Sequence, residues 1–292
     1  MKGEFFIKRN SIVDQAFEEF QIECRLNGLG EDSIKTYRNC WIRFVRDMKI
    51  STLEQINTLT VKQYRSSLVG QNLSRHTINN YLRHLRAIFN WMLDEEQELL
   101  PPVKVKMVKA QTEVKDVYTD SQLHSALKKP LKRDTFVTWR CWLSANVLAH
   151  TGMRGATMIR IQWQDIDLTL RTIKLHHTKT NARIIPIADE LLKVLFIFRR
   201  NFNPKPTHYL VGSAEGKTIG IRTLQQTMKT YHKSRGIETN SLHQYRRTFI
   251  TDALARNVDT VKVARMVGHT DLQMVNKHYL AHQVEFLRDV VK

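Results

Sequence analysis

Four separated stretches of the sequence set a phosphate-binding or proton-transferring residue beside an apolar anchor. The first is His150-Thr151-Gly152-Met153-Arg154, which closes an apolar run; the second is Thr178-Lys179-Thr180. The third is His243-Gln244-Tyr245-Arg246-Arg247-Thr248-Phe249. The fourth is Val267-Gly268-His269-Thr270, with Tyr279 ten residues beyond the histidine. Residues of these types suit attack on a phosphodiester. Its negative charge must be neutralised, and a guanidinium does so with a planar fork of donors that does not deprotonate. A phenol, with a pKa of about 10, is a poor nucleophile at neutral pH until a nearby base takes its proton. Taken singly, each stretch has a plainer explanation. An arginine after glycine is usually a surface residue, a lysine in a turn is usually solvated, His-x-x-Arg arises on helices by chance, and a tyrosine near a C-terminus usually packs.

The ordered set is more specific. Arginine, lysine, His-x-x-Arg, Gly-His and tyrosine, in this order and at these intervals, closely resemble the tyrosine recombinase (phage integrase) family, and the resemblance covers nearly the whole chain. It implies that Arg154 is the first catalytic arginine, Lys179 the hairpin lysine, His243 and Arg246 the His-x-x-Arg pair, His269 the last histidine and Tyr279 the nucleophile. Two positions depart from the family pattern. Thr157 stands where an acidic residue is frequent, and Asn276 where a threonine is frequent. Neither is a residue that must do chemistry.

The implied reaction makes physical sense. Arg154 and Arg246 would clamp the phosphate in the manner of an oxyanion hole. His243 would take the Tyr279 proton, Lys179 would protonate the departing 5′ oxygen, and His269 would hydrogen-bond the phosphate. The resulting 3′-phosphotyrosyl link resembles in energy the bond broken, so rejoining needs no ATP, no metal and no other cofactor. Asp165-Ile166-Asp167 is the one close carboxylate pair near Arg154, and its plainer reading is a turn from helix to strand; a two-metal nuclease wants more acids. No Gly-x-x-x-x-Gly-Lys-Ser/Thr loop and no Cys/His zinc pattern occurs. A DNA-binding protein that has lost catalysis is disfavoured by six competent residues at the six positions. A metal-dependent nuclease is disfavoured by the missing acids.

These residues need elements to hold them, and the spacing of apolar residues supplies a mainly helical fold with a small antiparallel β-sheet. Residues 12–48 read as helix interrupted at Asn27-Gly28-Leu29-Gly30, with Asp32 or Ser33 as the second cap. Thr60 is expected to cap a helix from Val61 to Leu68, and Ser74 a long one from Arg75 to about Glu98. Pro101-Pro102 ends it. Residues 1–100 thus form a helical unit, 101–117 an extended basic linker, and 118–292 a mixed α/β unit; the resemblance implies that the first is a core-DNA-binding domain and the last the catalytic domain. In the last, Thr119 caps a helix and 137–150 is a strongly apolar helix. Ile173–Leu175 and Arg183–Ile187 read as a hairpin around Lys179-Thr180-Asn181, and 189–200, 222–235, 246–256 and 259–267 as further helices.

The 292 residues carry 46 Lys plus Arg against 28 acids, a net charge of +18. Residues 1–100 hold 14 basic and 13 acidic residues, so nearly all the excess lies beyond them. So basic a segment points to a polyanionic partner, a class that also takes in membrane-surface binders and ribosome-associated proteins; the resemblance implies that the partner is a double-stranded DNA recombination site. Within the first 100 residues the asymmetry is local. Lys62, Arg65, Arg75, Arg83 and Arg86 occur over residues 61–93 without an acid, so this helical face, with Lys104 and Lys106 of the linker, is expected to lie on DNA; its plainer reading is a solvated face. Three scattered cysteines suit a reducing cytosol, with no disulfide framework. No apolar run is long enough to span a membrane and the start does not read as a signal peptide, so a cytoplasmic, nucleoid-associated protein is expected. The resemblance further implies a homotetramer on two paired duplexes, with the apolar positions of 283–292 docking as a helix on a neighbouring subunit; the plainer reading is a terminal helix packed on its own domain. In length the chain looks most like the simple two-domain Xer-like or transposon-resolvase members. Target sequence and accessory proteins are not legible.

Overall fold

The computed structural model describes residues 12–94, 102–110, 116–176, 183–238 and 241–268. The chain divides into two compact units, 1–112 and 113–292. The described residues are mainly helical, with one small sheet of three strands.

In the first unit, α1 (Ile12–Leu26), α2 (Glu31–Met48), α3 (Thr58–Val69) and α4 (Arg75–Met92) turn their apolar stripes onto one core. Aromatic pairs fill it: Phe17 stacks on Trp41 with centroids 5.1 Å apart, and Phe44 meets Tyr64 edge to face at 5.1 Å. Ser74 caps α4 as expected, its hydroxyl accepting from the Thr77 amide at 3.1 Å. Other ends differ from the sequence reading. Gly30, with no side-chain cap, opens α2, and Asp32 lies inside the first turn, where a carboxylate still favours the helix dipole. Asn57, not Thr60, caps α3, accepting from the Leu59 and Thr60 amides; the Thr60 hydroxyl instead donates to the Gln55 carbonyl at 2.7 Å. Helix α4 stops at Met92, short of Glu98. Residues 102–110 lie extended against this core. Val103, Val105 and Met107 pack inward while Lys104 and Lys106 are exposed, the period-two alternation of a strand, which breaks at Val108, also packed inward. Buried Asn79 grips the segment as a strand partner would, accepting from the Val108 amide at 2.7 Å and donating to its carbonyl at 2.8 Å.

The second unit begins with α5 (Asp120–Leu127), held by the Thr119–Gln122 capping box. Helix α6 (Phe136–Thr151) is buried nearly all round and packs against α8, α9 and α10. Three of its buried polar side chains are bonded locally: Ser144, Asn146 and Thr151 each donate to the carbonyl four residues earlier, while Arg140 reaches the Gly212 carbonyl at 3.3 Å. A one-turn helix, α7 (Gly155–Met158), leads to the sheet β1 (Ile166–Asp167), β2 (Thr172–Leu175) and β3 (Arg183–Pro186), in the order β1-β2-β3, antiparallel, with Ile173 opposite Ile185. Helices α8 (Asp189–Phe202), α9 (Ile221–Ser234), α10 (Leu242–Ala255) and α11 (Thr260–Val267) complete it. Asp165 and Asp167 do turn work, as their plainer reading expected. Asp165 accepts from the Gln162 amide and pairs with His176 at 3.3 Å, while Asp167 accepts from the Thr169 and Leu170 amides.

Candidate active site

Arg154 follows a tightly built helix end. Helix α6 closes on Gly152, whose φ of +60° is the left-handed conformation glycine adopts without strain. A Cβ there would meet the Phe249 ring at 2.5 Å and Val267 at 2.9 Å, so the position is closed to a side chain by packing as well. Met153 then anchors in the core, and Arg154 begins α7 in an extended conformation. Its guanidinium reaches across to donate from Nη1 to the Gly268 carbonyl at 3.1 Å.

Arg246 sits on α10, which opens one turn earlier than the sequence reading placed it, so His243 is also helical. The two lie three residues apart and share a side of the helix, with His243 exposed and Arg246 buried. Tyr245 rivets the helix to the core. It is buried, its hydroxyl meets His232 Nε2 at 2.7 Å, and its ring lies 4.7 Å from that of Tyr118. Burial pushes the His232 imidazole down to about 4, so it is neutral. Arg247 faces elsewhere and donates to the Asp116 carbonyl.

Arg246 Nη1 donates both to the Gly152 carbonyl at 2.8 Å and to the Val267 carbonyl at 2.6 Å. It thus bridges the C-terminal ends of α6 and α11, where exposed carbonyls concentrate negative partial charge. Helix α11, capped by Asp259, also ends in a left-handed glycine, Gly268 at φ +69°. Arg183, at the start of β3, donates from Nη2 to the Val267 carbonyl at 3.1 Å.

Three guanidiniums therefore converge on the Val267–Gly268 turn. Among the described residues no carboxylate pairs with any of them. Burial first, and then the charges of Arg154 and Arg183, push Arg246 down to about 9, so it remains cationic at neutral pH. Burial and the Arg154 charge likewise lower Arg183. Among the described residues, Arg246 Nη2 and Arg183 Nε are buried donors without an acceptor. Unpaired positive charge with donors to spare is an arrangement that an anion completes.

Of the residues singled out from sequence, Arg154 and Arg246 are brought together, and His243 stands one helical turn before Arg246. Lys179, His269, Tyr279, Asn276 and the segment 283–292 lie outside the described residues. Thr157 lines a polar cleft of about 530 Å³ with Arg160, Gln162, Asp165, Lys174 and His176. Arg183 was missed as a site residue, although the sequence held a signal. It shares the core-facing side of the β3 alternation with Ile185 and Ile187, an unusual place for a charge.

The basic residues of the first unit are at its surface or nearly so. Lys62, Arg75, Arg83, Arg86, Lys104 and Lys106 are exposed and Arg65 is half-buried. Arg75 donates to the Lys109 carbonyl at 2.8 Å, Arg65 reaches that of Lys106 at 3.4 Å, and Arg83 donates to Asn80.

Comparison with known proteins agrees with this architecture. Residues 117–285 match the phage integrase family, and residues 17–99 match the phage integrase N-terminal SAM-like domain. The chain is 24% identical over 273 residues to the tyrosine recombinase XerD of Staphylococcus haemolyticus (strain JCSC1435), covering 90% of this chain and 91% of that one. It is 23% identical over 277 residues to the tyrosine recombinase XerC of Staphylococcus aureus (strain USA300), covering 92% and 91%. Among solved structures, the XerH site-specific recombinase bound to palindromic difH substrate in a post-cleavage complex superposes with a TM-score of 0.74 at 19% identity, over 96% of this chain and 84% of that one. The Tn1549 transposon integrase in complex with circular intermediate DNA gives 0.72 at 18% identity, over 96% and 99%.

Proposed function

The chain belongs to the phage integrase family and is a tyrosine-type site-specific DNA recombinase that cleaves and rejoins strands, and we propose that it does so through a 3′-phosphotyrosyl bond to Tyr279. The observation that carries this assignment is the convergence of Arg154 and Arg246 on the Gly268 and Val267 carbonyls. It supports a phosphate clamp beside the point in the chain where His269 follows Gly268, eleven residues before Tyr279.

In the proposed reaction the scissile phosphate takes up the donors of Arg154 and Arg246. Their fixed, partly buried charge stabilises the oxygens as charge builds in the transition state. His243, exposed on α10, accepts the Tyr279 proton; Lys179 protonates the departing 5′ oxygen; His269 hydrogen-bonds the phosphate. The phosphotyrosyl ester keeps the energy of the original bond, and a 5′ hydroxyl from the partner strand reverses the step. No metal or cofactor has a role in this scheme.

The partner is a double-stranded recombination site. The named relatives whose structures hold a difH substrate and transposon circular-intermediate DNA support that reading. Lys62, Arg65, Arg75, Arg83, Arg86, Lys104 and Lys106 would contact its backbone, and their exposure is consistent with that role. A homotetramer on two paired duplexes, acting on DNA in the cytoplasm, completes the proposal.

Incubation with a nicked duplex carrying the target site tests the reading. A denaturant-resistant protein–DNA adduct that forms in EDTA is expected. An adduct-free complex would indicate binding alone, and cleavage that needs added metal would indicate a nuclease.

A further inference from the structure

We propose that Arg183 is a positioning residue for the arginine pair: it pins the Val267–Gly268 turn to β3, and so fixes the carbonyls that Arg246 and Arg154 grip. The inference rests on the reading of Arg154 and Arg246 as the phosphate clamp.

The turn is an acceptor hub. The Val267 carbonyl takes Arg246 at 2.6 Å and Arg183 at 3.1 Å, and the neighbouring Gly268 carbonyl takes Arg154 at 3.1 Å. A shift of this turn moves the anchor of both clamp residues together. Helix α11 packs on α10 through Val263, Ala264 and Val267, which fixes its body. Among the described residues, the side-chain hydrogen bonds to its end all come from arginines, and Arg183 is the one that comes from the sheet. Strand β3 is itself paired along its length with β2, so it is a rigid base. Arg183 leaves that base on the same side as Ile185 and Ile187, which are buried in the core.

Gly268 gives the contact its specificity. A Cβ at Gly268 would overlap the Arg183 guanidinium, so this group can lie across the turn only where the residue is glycine. The placement is costly for the fold alone. Arg183 is part-buried beside two like charges and has no ion-pair partner among the described residues, and an apolar side chain would fill such a place more cheaply. It suits a cluster whose repulsion is relieved when a phosphate arrives. Arg183 itself need not touch that phosphate, since its Nη2 is already committed to Val267.

The test is a double-mutant cycle on the full chain, read as the single-turnover rate of adduct formation on a nicked duplex at saturating protein. DNA affinity and the thermal midpoint are measured alongside. Arg183→Met and Arg183→Lys are each expected to slow adduct formation about tenfold or more, the loss of one charged hydrogen bond seen only in the rate. Affinity should stay within about threefold, a difference of less than one kcal/mol in binding. Arg183→Lys keeps the stem and the charge, so it guards against a variant that fails to fold. Gly268→Ala should slow the reaction by expelling the guanidinium. The Arg183→Met/Gly268→Ala double variant should be no slower than the slower single, because both remove one contact. Costs that multiply in the double variant, or Arg183 variants within twofold of the parent rate, overturn the proposal. Arg154→Lys is run in parallel. If it is impaired while Arg183→Lys is not, only the positioning role falls; if it too is unimpaired, the clamp reading falls and takes the proposal with it.

Discussion

The guanidinium of Arg246 and the carbonyl of Gly152 meet at 2.8 Å, and this bond fastens the end of α6 to α10 directly before Arg154 enters the site. The same nitrogen holds Val267. One side chain thereby sets the distance between the two arginines, since Arg154 leaves one end of the bridge and reaches Gly268 at the other. The geometry of the proposed clamp and the local fold are one arrangement, and substitutions there should report on both.

Charge alone should not sustain the clamp. Arg154→Lys and Arg246→Lys each keep a positive charge but lose the planar fork, and cleavage should fall about 10²–10³-fold, the usual cost of removing one preorganised donor to a transition-state oxyanion. Single-turnover cleavage measures it. Arg246→Lys should also lower the unfolding midpoint, because Arg246 bridges two helix ends. Near-parental cleavage by either variant would show that a point charge suffices.

Gly152→Ala should destabilise the second unit. The new methyl meets the Phe249 ring and Val267, and the backbone there is left-handed. Overpacking together with the left-handed penalty should cost roughly 2–4 kcal/mol in denaturant unfolding. A variant as stable as the parent would mean that this helix end can move freely, against the tight junction described above.

His232 should make stability depend on acid. Its folded imidazole is depressed to about 4 from an ordinary 6.5, so between those values the unfolded chain binds a proton that the folded chain refuses. The contribution is complete above pH 6.5 and is lost as pH falls towards 4, up to ~3 kcal/mol. His232→Gln, which keeps a polar partner for Tyr245, should flatten the slope of unfolding free energy across that window. Parallel slopes for parent and variant would contradict the buried neutral imidazole.

The exposed lysines of the extended segment should act through counterions. Lys104→Ala/Lys106→Ala should weaken binding to all sequences alike and reduce the log–log salt slope by roughly 1.8 if each lysine neutralises one phosphate. Binding titrations at several salt concentrations measure the slope. An unchanged slope would return the two lysines to an ordinary solvated surface.

Much of this architecture was legible in the sequence, for physical reasons. Apolar spacing marked the helices of both units, and Ser74 and Thr119 identified their own helix starts because a hydroxyl three residues before a free amide has one good partner. Arg154 and Arg246 were singled out by the order and intervals of the whole motif set, since neither stretch is distinctive alone. Helix ends were harder. Periodicity does not say where α4 stops, and Thr60, the expected cap of α3, gives its hydroxyl to the Gln55 carbonyl while Asn57 takes the cap. Strand β1, of two residues, is too short to alternate. The core-facing place of Arg183 in the β3 alternation was a signal, but its role was hidden because its partner, the Val267 carbonyl, lies 84 positions away and backbone carbonyls carry no sequence signal.

The most direct test of the account is the identity of the nucleophile. Parent, Tyr279→Phe and Tyr245→Phe proteins are incubated with a nicked target duplex in EDTA, and covalent adduct is resolved under denaturing conditions with DNA binding measured separately. The account predicts that all three bind, that the parent and Tyr245→Phe form the adduct, and that Tyr279→Phe forms none. An adduct from Tyr279→Phe would contradict it.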